Sequence, residues 1–156
     1  MKKVVDEEEL NCIIADLHSD NCRVVSTSGC FDILHAGHVM YLAEAKKKGD
    51  VLVVLLNSDA SVKRIKGPKR PIVSESERAY VLAGLESVDY VCLFDDLTPC
   101  RIIERIHPDI VIKGGDYREQ HIPEMDSVAR YGGIVEYVSL KDGCSTTSII
   151  DRIVAL

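Results

Sequence analysis

Two histidines three apart, His35 and His38, lie inside the run Ser28 to Leu42, SGCFDILHAGHVMYL, and Gly37 between them offers no side chain to block a ligand. The run before it, Arg23 to Thr27 (RVVST), is short and β-branched and reads as a strand. The run after it, Val39 through Lys48, places Val39, Leu42, Ala43 and Ala45 at helical spacing and stops at Gly49. A strand that breaks at a glycine and feeds a helix aims backbone N–H groups and the positive end of a helix dipole at one spot, which suits an anion. Imidazole N–H groups there can donate to oxygens that gain charge in a transition state. The expectation is a held triphosphate. Two other readings of the pair stand beside it: a metal site, for which zinc needs three or four ligands and Cys30 would be a lone addition, and ordinary core histidines.

Cations form the second chemical feature. Lys63 to Arg70 (KRIKGPKR) holds five of the nineteen basic residues of a chain whose formal net charge is −6. A solvated loop is the usual fate of a lone basic run, but this one follows a strand and ends against a proline, so it reads as an active-site loop. Lys113 closes an apolar run before Gly114 and Gly115, which directs it into the crevice at a sheet edge. Arg78 has the plain alternative of an exposed helix residue, and Asp116 that of an Asx turn. Of Ser145, Thr146 and Thr147, helix capping accounts for one.

Positioning these residues takes an alternating chain. Asp6 with Glu9 forms a capping box for a helix over 7 to 19, apolar at Leu10, Ile13, Ile14 and Leu17, which serves as lid or buttress. Val51 to Leu56 is an apolar run too short for a helix and fits a strand buried on both faces. Ser74 with Glu77 caps a further helix ending near Glu86, with Tyr80, Val81, Leu82 and Leu85 as its stripe. Val88 to Phe94 is a strand, Thr98 and Pro99 start a helix buried at Ile102, Ile103 and Ile106, and Asp109 to Lys113 is a strand. A helix near Pro123 to Tyr131, a strand at Ile134 to Val138 and a helix over Ser145 to Val154 complete the order. This predicts an α/β fold, a Rossmann-like open parallel five-stranded sheet with helices on both faces. Ligands sit beyond the carboxyl ends of such strands, where the loops 29–38, 57–70, 113–117 and 141–147 gather.

Composition bounds the rest. A chain of 156 residues supports one domain, 1–156, with residues 1–22 as an N-terminal helical extension. It carries no apolar run near the roughly 18 residues of a membrane span, and MKKVVDEEEL lacks a signal peptide's apolar core; a cytoplasmic protein without a membrane partner is expected. The six cysteines form no CxxC, so reduced thiols are expected rather than disulfides or a metal or redox sensor. The acidic balance argues against nucleic acid as a partner.

The string GCFDILHAGHVMYL, with HxGH intact, resembles the nucleotidyltransferase superfamily of cytidylyltransferases and related adenylyltransferases. NSDASVKRIKGPKRPI, the Glu77-Arg78 pair, KGGDY at 113–117 and DGCSTT at 142–147 extend the likeness over residues 23 to 156, and in this order are most similar to the adenylyltransferase domain of bacterial ADP-heptose synthases. The resemblance implies transfer of AMP from ATP to D-glycero-β-D-manno-heptose 1-phosphate, giving ADP-heptose and pyrophosphate for lipopolysaccharide or other surface glycans. A phosphomonoester has its second pKa near ~6, so the nucleophile is already anionic and no general base is required. Positioning and charge stabilisation are what the reaction asks for.

By the same resemblance, Gly29, Cys30 and Phe31 with His35 and His38 hold the triphosphate, and Lys63, Lys66, Arg70 and Arg78 contact phosphates. Lys66, Arg78 and Lys113 join the histidines in catalysis, and Lys113, Asp116, Gly143, Cys144, Ser145, Thr146 and Thr147 hold the nucleotide. Mg2+ is implied, carried mainly by phosphates and water without protein ligands, with Asp32 as an outer partner. The related bifunctional enzymes carry a sugar kinase domain ahead of this one, where this chain has about twenty residues. A separate heptose kinase is therefore expected, and exposed apolar faces point to a homodimer. Two rival functions remain. One is a cytidylyltransferase acting on glycerol 3-phosphate or a related phosphoalcohol, against which Leu140 to Cys144 departs from the Arg-Thr-x-Gly-Ile-Ser-Thr-Thr loop those enzymes share. The other is a non-catalytic nucleotide-binding regulatory module, against which His35, His38 and Lys113 are intact.

Overall fold

Val51–Asn57 is the strand with apolar neighbours on every side, and Leu52 through Leu56 are wholly buried. In the computed structural model, which describes residues 3–115, 120–139 and 145–156, it is one of six parallel strands. The elements run β1 (Val4–Val5), α1 (Glu7–Ser19), β2 (Val24–Gly29), α2 (Ala36–Lys46), β3 (Val51–Asn57), α3 (Asp59–Lys66) and α4 (Glu75–Ala83). After them come β4 (Tyr90–Phe94), α5 (Cys100–Ile106), β5 (Ile110–Gly114), α6 (Pro123–Ala129), β6 (Ile134–Val138) and α7 (Thr146–Val154). The strand order β1-β4-β3-β2-β5-β6 reverses direction between β2 and β5, which creates a switch-point crevice at their carboxyl ends.

Strand periodicity sorts the core into two layers. Val25, Leu52, Val54, Leu56 and Ile112 face Tyr41, Leu42 and Ala45 of α2 and Ala79 and Leu82 of α4. Val24, Val53, Leu55 and Val111 face Leu10 and Ile14 of α1, Ile102, Ile103 and Ile106 of α5 and Val128 of α6. Both faces of the sheet are covered, as a parallel sheet requires.

Three expectations need correction. The sheet has six strands, not five, because Val4 and Val5 pair with Val91 and Cys92 while Lys3 Nζ donates to the carbonyls of Leu85 and Val88. Two residues are too few to show a period, so residues 1–22 supply an edge strand as well as a helix. The basic segment is not all loop: Ser58 accepts a hydrogen bond from Ser61 N, which caps α3 and puts Lys63 and Lys66 on a helix. In α4 the buried face is Arg78, Ala79 and Leu82, with Tyr80 and Val81 exposed, and the helix stops at Ala83. Its capping box forms as read. Helix α1 packs on α5 and the sheet and lines no part of the switch-point cavity, so it is a buttress rather than a lid. Among the described residues no helix is long and apolar enough to cross a membrane.

Candidate active site

A cavity of about 640 Å³ opens at the carboxyl ends of β2, β3 and β5. Its floor is fixed by Thr27 Oγ1 and Tyr41 Oη, 2.8 Å apart, both of which reach the Ile112 carbonyl at 3.1 Å. Above it the chain leaves β2 through Gly29, where an added Cβ would stand 3.0 Å from the Phe31 ring. Phe31 itself takes a φ of 44°. The close turn aims the start of α2 at the cavity.

His35 stands at the N-cap position of α2 and His38 in its first turn, with rings stacked at 3.8 Å between centroids and 22° between planes. The Phe31 ring lies 5.1 Å from His38, tilted at 59°. Nδ1 of both imidazoles is buried without a hydrogen-bond partner among the described residues. Burial and then the neighbouring His35 push His38 down to about 4, and burial lowers His35. Both rings are therefore neutral near pH 7 and offer N–H groups rather than charge.

Of the residues expected to contact ligand, Gly29, Cys30, Phe31, His35, His38, Lys66, Arg70, Lys113, Ser145, Thr146 and Thr147 line this cavity. Asp116, Gly143 and Cys144 lie outside the described residues. Lys63, one turn before Lys66 on α3, is exposed and away from the lining, because the helix turns it outward.

Arg78 is the clear correction. It was expected either to bind phosphate or to be exposed; its side chain is fully buried. Nε donates to the Val73 carbonyl at 3.0 Å, Nη1 to the carbonyls of Cys30 and Asn57 at 2.6 and 2.9 Å, and Nη2 to Asp59 Oδ1 at 2.8 Å. The guanidinium clamps the ends of two strands to the segment before α4 and does not face the cavity. A basic residue after a capping box gives no sequence sign of such burial.

Asp32, expected as an outer partner of the metal, lines the cavity. It is buried and accepts from Arg70 Nε at 2.6 Å and from the backbone N–H groups of Ile72 and Val73 at 2.8 and 2.9 Å. Burial alone would raise its pKa, but the Val73 N–H, the Arg70 guanidinium and the Ile72 N–H bring it below the usual carboxylate value. Asp32 thereby pins the end of the basic segment to the histidine loop. Cys30 has its thiol pushed up by burial, against the opposing pull of Lys66, Arg78 and Arg70, so it is not poised as a nucleophile.

Lys113 Nζ lies 2.5 Å from Glu124 Oε1 and donates to Ser28 Oγ at 3.2 Å. Glu124 is a buried member of the cavity wall that the sequence reading missed, since a glutamate after Pro123 at a helix start reads as surface complement to the dipole. Phe94, Leu97, Thr98 and Pro99 were missed as well; they form another wall from the β4–α5 connection, and its position after a strand was the available signal. Ser145 caps α7, accepting from Ser148 N at 3.0 Å, while Thr146 Oγ1 donates to the Ile33 carbonyl at 3.4 Å and ties α7 to the histidine loop. The described residues contain no cluster of three or more metal-ligating side chains.

Imidazole rings and lysine ammoniums lining one cavity suit polyphosphate. A family model described as cytidylyltransferase-like matches residues 26–152. The chain is 49% identical over 151 residues to the bifunctional protein HldE of Trichlorobacter lovleyi, a match covering 97% of this chain and 31% of that protein. It is 56% identical over 131 residues to the bifunctional protein HldE of Geobacter metallireducens, covering 84% and 27%. The chain thus spans less than a third of the length of these curated relatives. Among solved structures it is similar to the lipopolysaccharide core biosynthesis protein of Thermoplasma volcanium, with a TM-score of 0.62, 33% identity, and coverage of 77% of this chain and 97% of that one.

Proposed function

This chain belongs to the cytidylyltransferase-like family of nucleotidyltransferases, and from that premise we propose that it transfers AMP from ATP to D-glycero-D-manno-heptose 1-phosphate, yielding ADP-heptose and pyrophosphate. The observation that carries the reading is the pair of neutral imidazoles on the cavity beside Lys66, a cation with no ion-pair partner among the described residues. That set neutralises and hydrogen-bonds phosphates without supplying a base or a covalent nucleophile.

The sugar phosphate supplies an anionic oxygen that attacks the α-phosphorus of ATP; a P–O bond forms there and the bond to the pyrophosphate breaks in line. No proton need move. His35 and His38 donate to phosphate oxygens as charge builds on the leaving group, and Lys66 adds a full positive charge. The Asp32 and Arg78 contacts hold the histidine loop and the basic segment in register so that the two mutually repelling phosphates are brought together. Ser145, Thr146 and Thr147, with Asp116, Gly143 and Cys144, are assigned to the nucleotide, and Arg70 to the acceptor phosphate.

Mg2+ is part of the reading. The donor set on the cavity suits anions, so the ion would be held by the triphosphate and water rather than by side chains and would offset phosphate charge there. A sugar kinase activity supplies the heptose 1-phosphate, and ADP-heptose serves surface-glycan synthesis in the cytoplasm. The 1–156 unit acts as one domain, and a homodimer is the proposed assembly.

The test is pyrophosphate release by purified protein with heptose 1-phosphate and each nucleoside triphosphate in turn. ATP is expected to be turned over well ahead of CTP, GTP and UTP. No release with ATP overturns the proposal; turnover of CTP with glycerol 3-phosphate in its place makes the chain a cytidylyltransferase, and tight ATP binding without turnover of any sugar phosphate makes it a binding module.

A further inference from the structure

Lys113 at the end of β5 and Glu124 in the first turn of α6 meet in the cavity wall, with side chains only 14% and 6% exposed and 2.5 Å between charged atoms. Neither charge is well hydrated. Removing an ion from water is expensive unless a partner compensates it, so an ammonium at this depth calls for a counter-ion whenever no anionic ligand is present. Glu124 is such a counter-ion, and among the described residues Lys113 is the one ion-pair partner of Glu124. The ammonium also donates to Ser28 Oγ, one residue before Gly29, so it stands between the carboxylate and the start of the histidine loop. A lysine has three rotatable N–H donors on a flexible stem and can change partners by a small swing.

Resting on the nucleotidyl-transfer reading above, we propose that Glu124 is a positioning residue that holds Lys113 while the site is empty and yields it to the phosphates of the bound nucleotide. The exchange has a consequence for turnover. A phosphate gains the ammonium only by displacing a carboxylate, which weakens binding of pyrophosphate as well as of ATP and so speeds product release. Arg70 and Asp32 form a comparable pair, but Asp32 is also held by two backbone N–H groups, whereas the Glu124 carboxylate accepts from no backbone N–H among the described residues.

Glu124→Gln keeps the shape and an acceptor for Lys113 but removes the competing charge. Calorimetric titration with magnesium pyrophosphate should show Kd falling roughly tenfold in Glu124→Gln, with kcat and the KM for ATP both reduced because release slows. In the Lys113→Met background the same change should leave Kd unmoved. A purely structural glutamate would lower thermal stability and leave pyrophosphate affinity equal or weaker, and that result overturns the proposal. If Glu124→Gln does not fold, Lys113→Gln carries the test. A loss of pyrophosphate affinity of roughly tenfold or more is expected, and unchanged affinity means the ammonium never leaves Glu124. Wild-type protein that binds neither pyrophosphate nor ATP refutes the nucleotidyl-transfer reading itself, whereas wild-type binding without these variant effects refutes only the exchange.

Discussion

His35 and His38 stack 3.8 Å apart at the start of α2, so His35 discourages a proton on His38. His38 is pushed to about 4 by burial and by His35, below its usual 6.5, so the unfolded chain binds the extra proton between those values. Stability from this group is full above about 6.5 and is lost as pH falls toward 4. Asp32, whose pKa is lowered, adds its own loss only at still lower pH, as it protonates. Thermal unfolding from pH 7.5 to 5 should show a falling Tm that His38→Asn flattens; equal slopes for the two proteins contradict the coupling.

The same rings make a kinetic prediction. His35→Ala and His38→Ala should each lower kcat by roughly 10² to 10³, the usual loss for a transition-state donor, with Tm near wild type at pH 8. Continuous pyrophosphate detection under saturating ATP reads this directly. Turnover within a few-fold of wild type would remove the histidines from the reaction.

Lys66 and Lys63 share a helix but only Lys66 lines the cavity. Lys66→Ala should reduce kcat/KM by roughly 10², while Lys63→Ala stays within a few-fold. A rising ionic strength should erode the wild-type rate more than that of Lys66→Ala. Equal losses at the two lysines would mean that the general charge of the segment matters rather than its register.

Arg78 is predicted to be a stability residue. Arg78→Met leaves the carbonyls of Cys30, Asn57 and Val73 without their donor and should lower unfolding free energy by roughly 3 kcal/mol, read as a lower urea midpoint. Lost turnover with an unchanged midpoint is the signature of a phosphate ligand and contradicts the buried clamp.

Much of this was legible in the residues because the signals were local. A β-branched run into glycine and then HAGH specified the strand, the turn and the helix start, and Ser74 with Glu77 specified a cap that forms as read. What escaped depends on partners far along the chain. Val4 and Val5 become a strand only because β4 offers an edge, and Arg78 is buried only because two strand ends present carbonyls to it. Glu124 belongs to the site because β5 brings Lys113 to it, a pairing eleven residues apart that no helical or strand period encodes.

The triangle of Thr27, Tyr41 and the Ile112 carbonyl joins the histidine helix to both strands of the crevice. Parting β2 from β5 would break two of these buried contacts at once, so the reacting end of the cleft behaves as a fixed anvil and adaptation to a substrate falls to the rim. Under the proposed function, exchanging residues 94–99, four of which line the cavity, for a loop of other length or polarity should change substrate preference while the step that breaks the triphosphate stays intact.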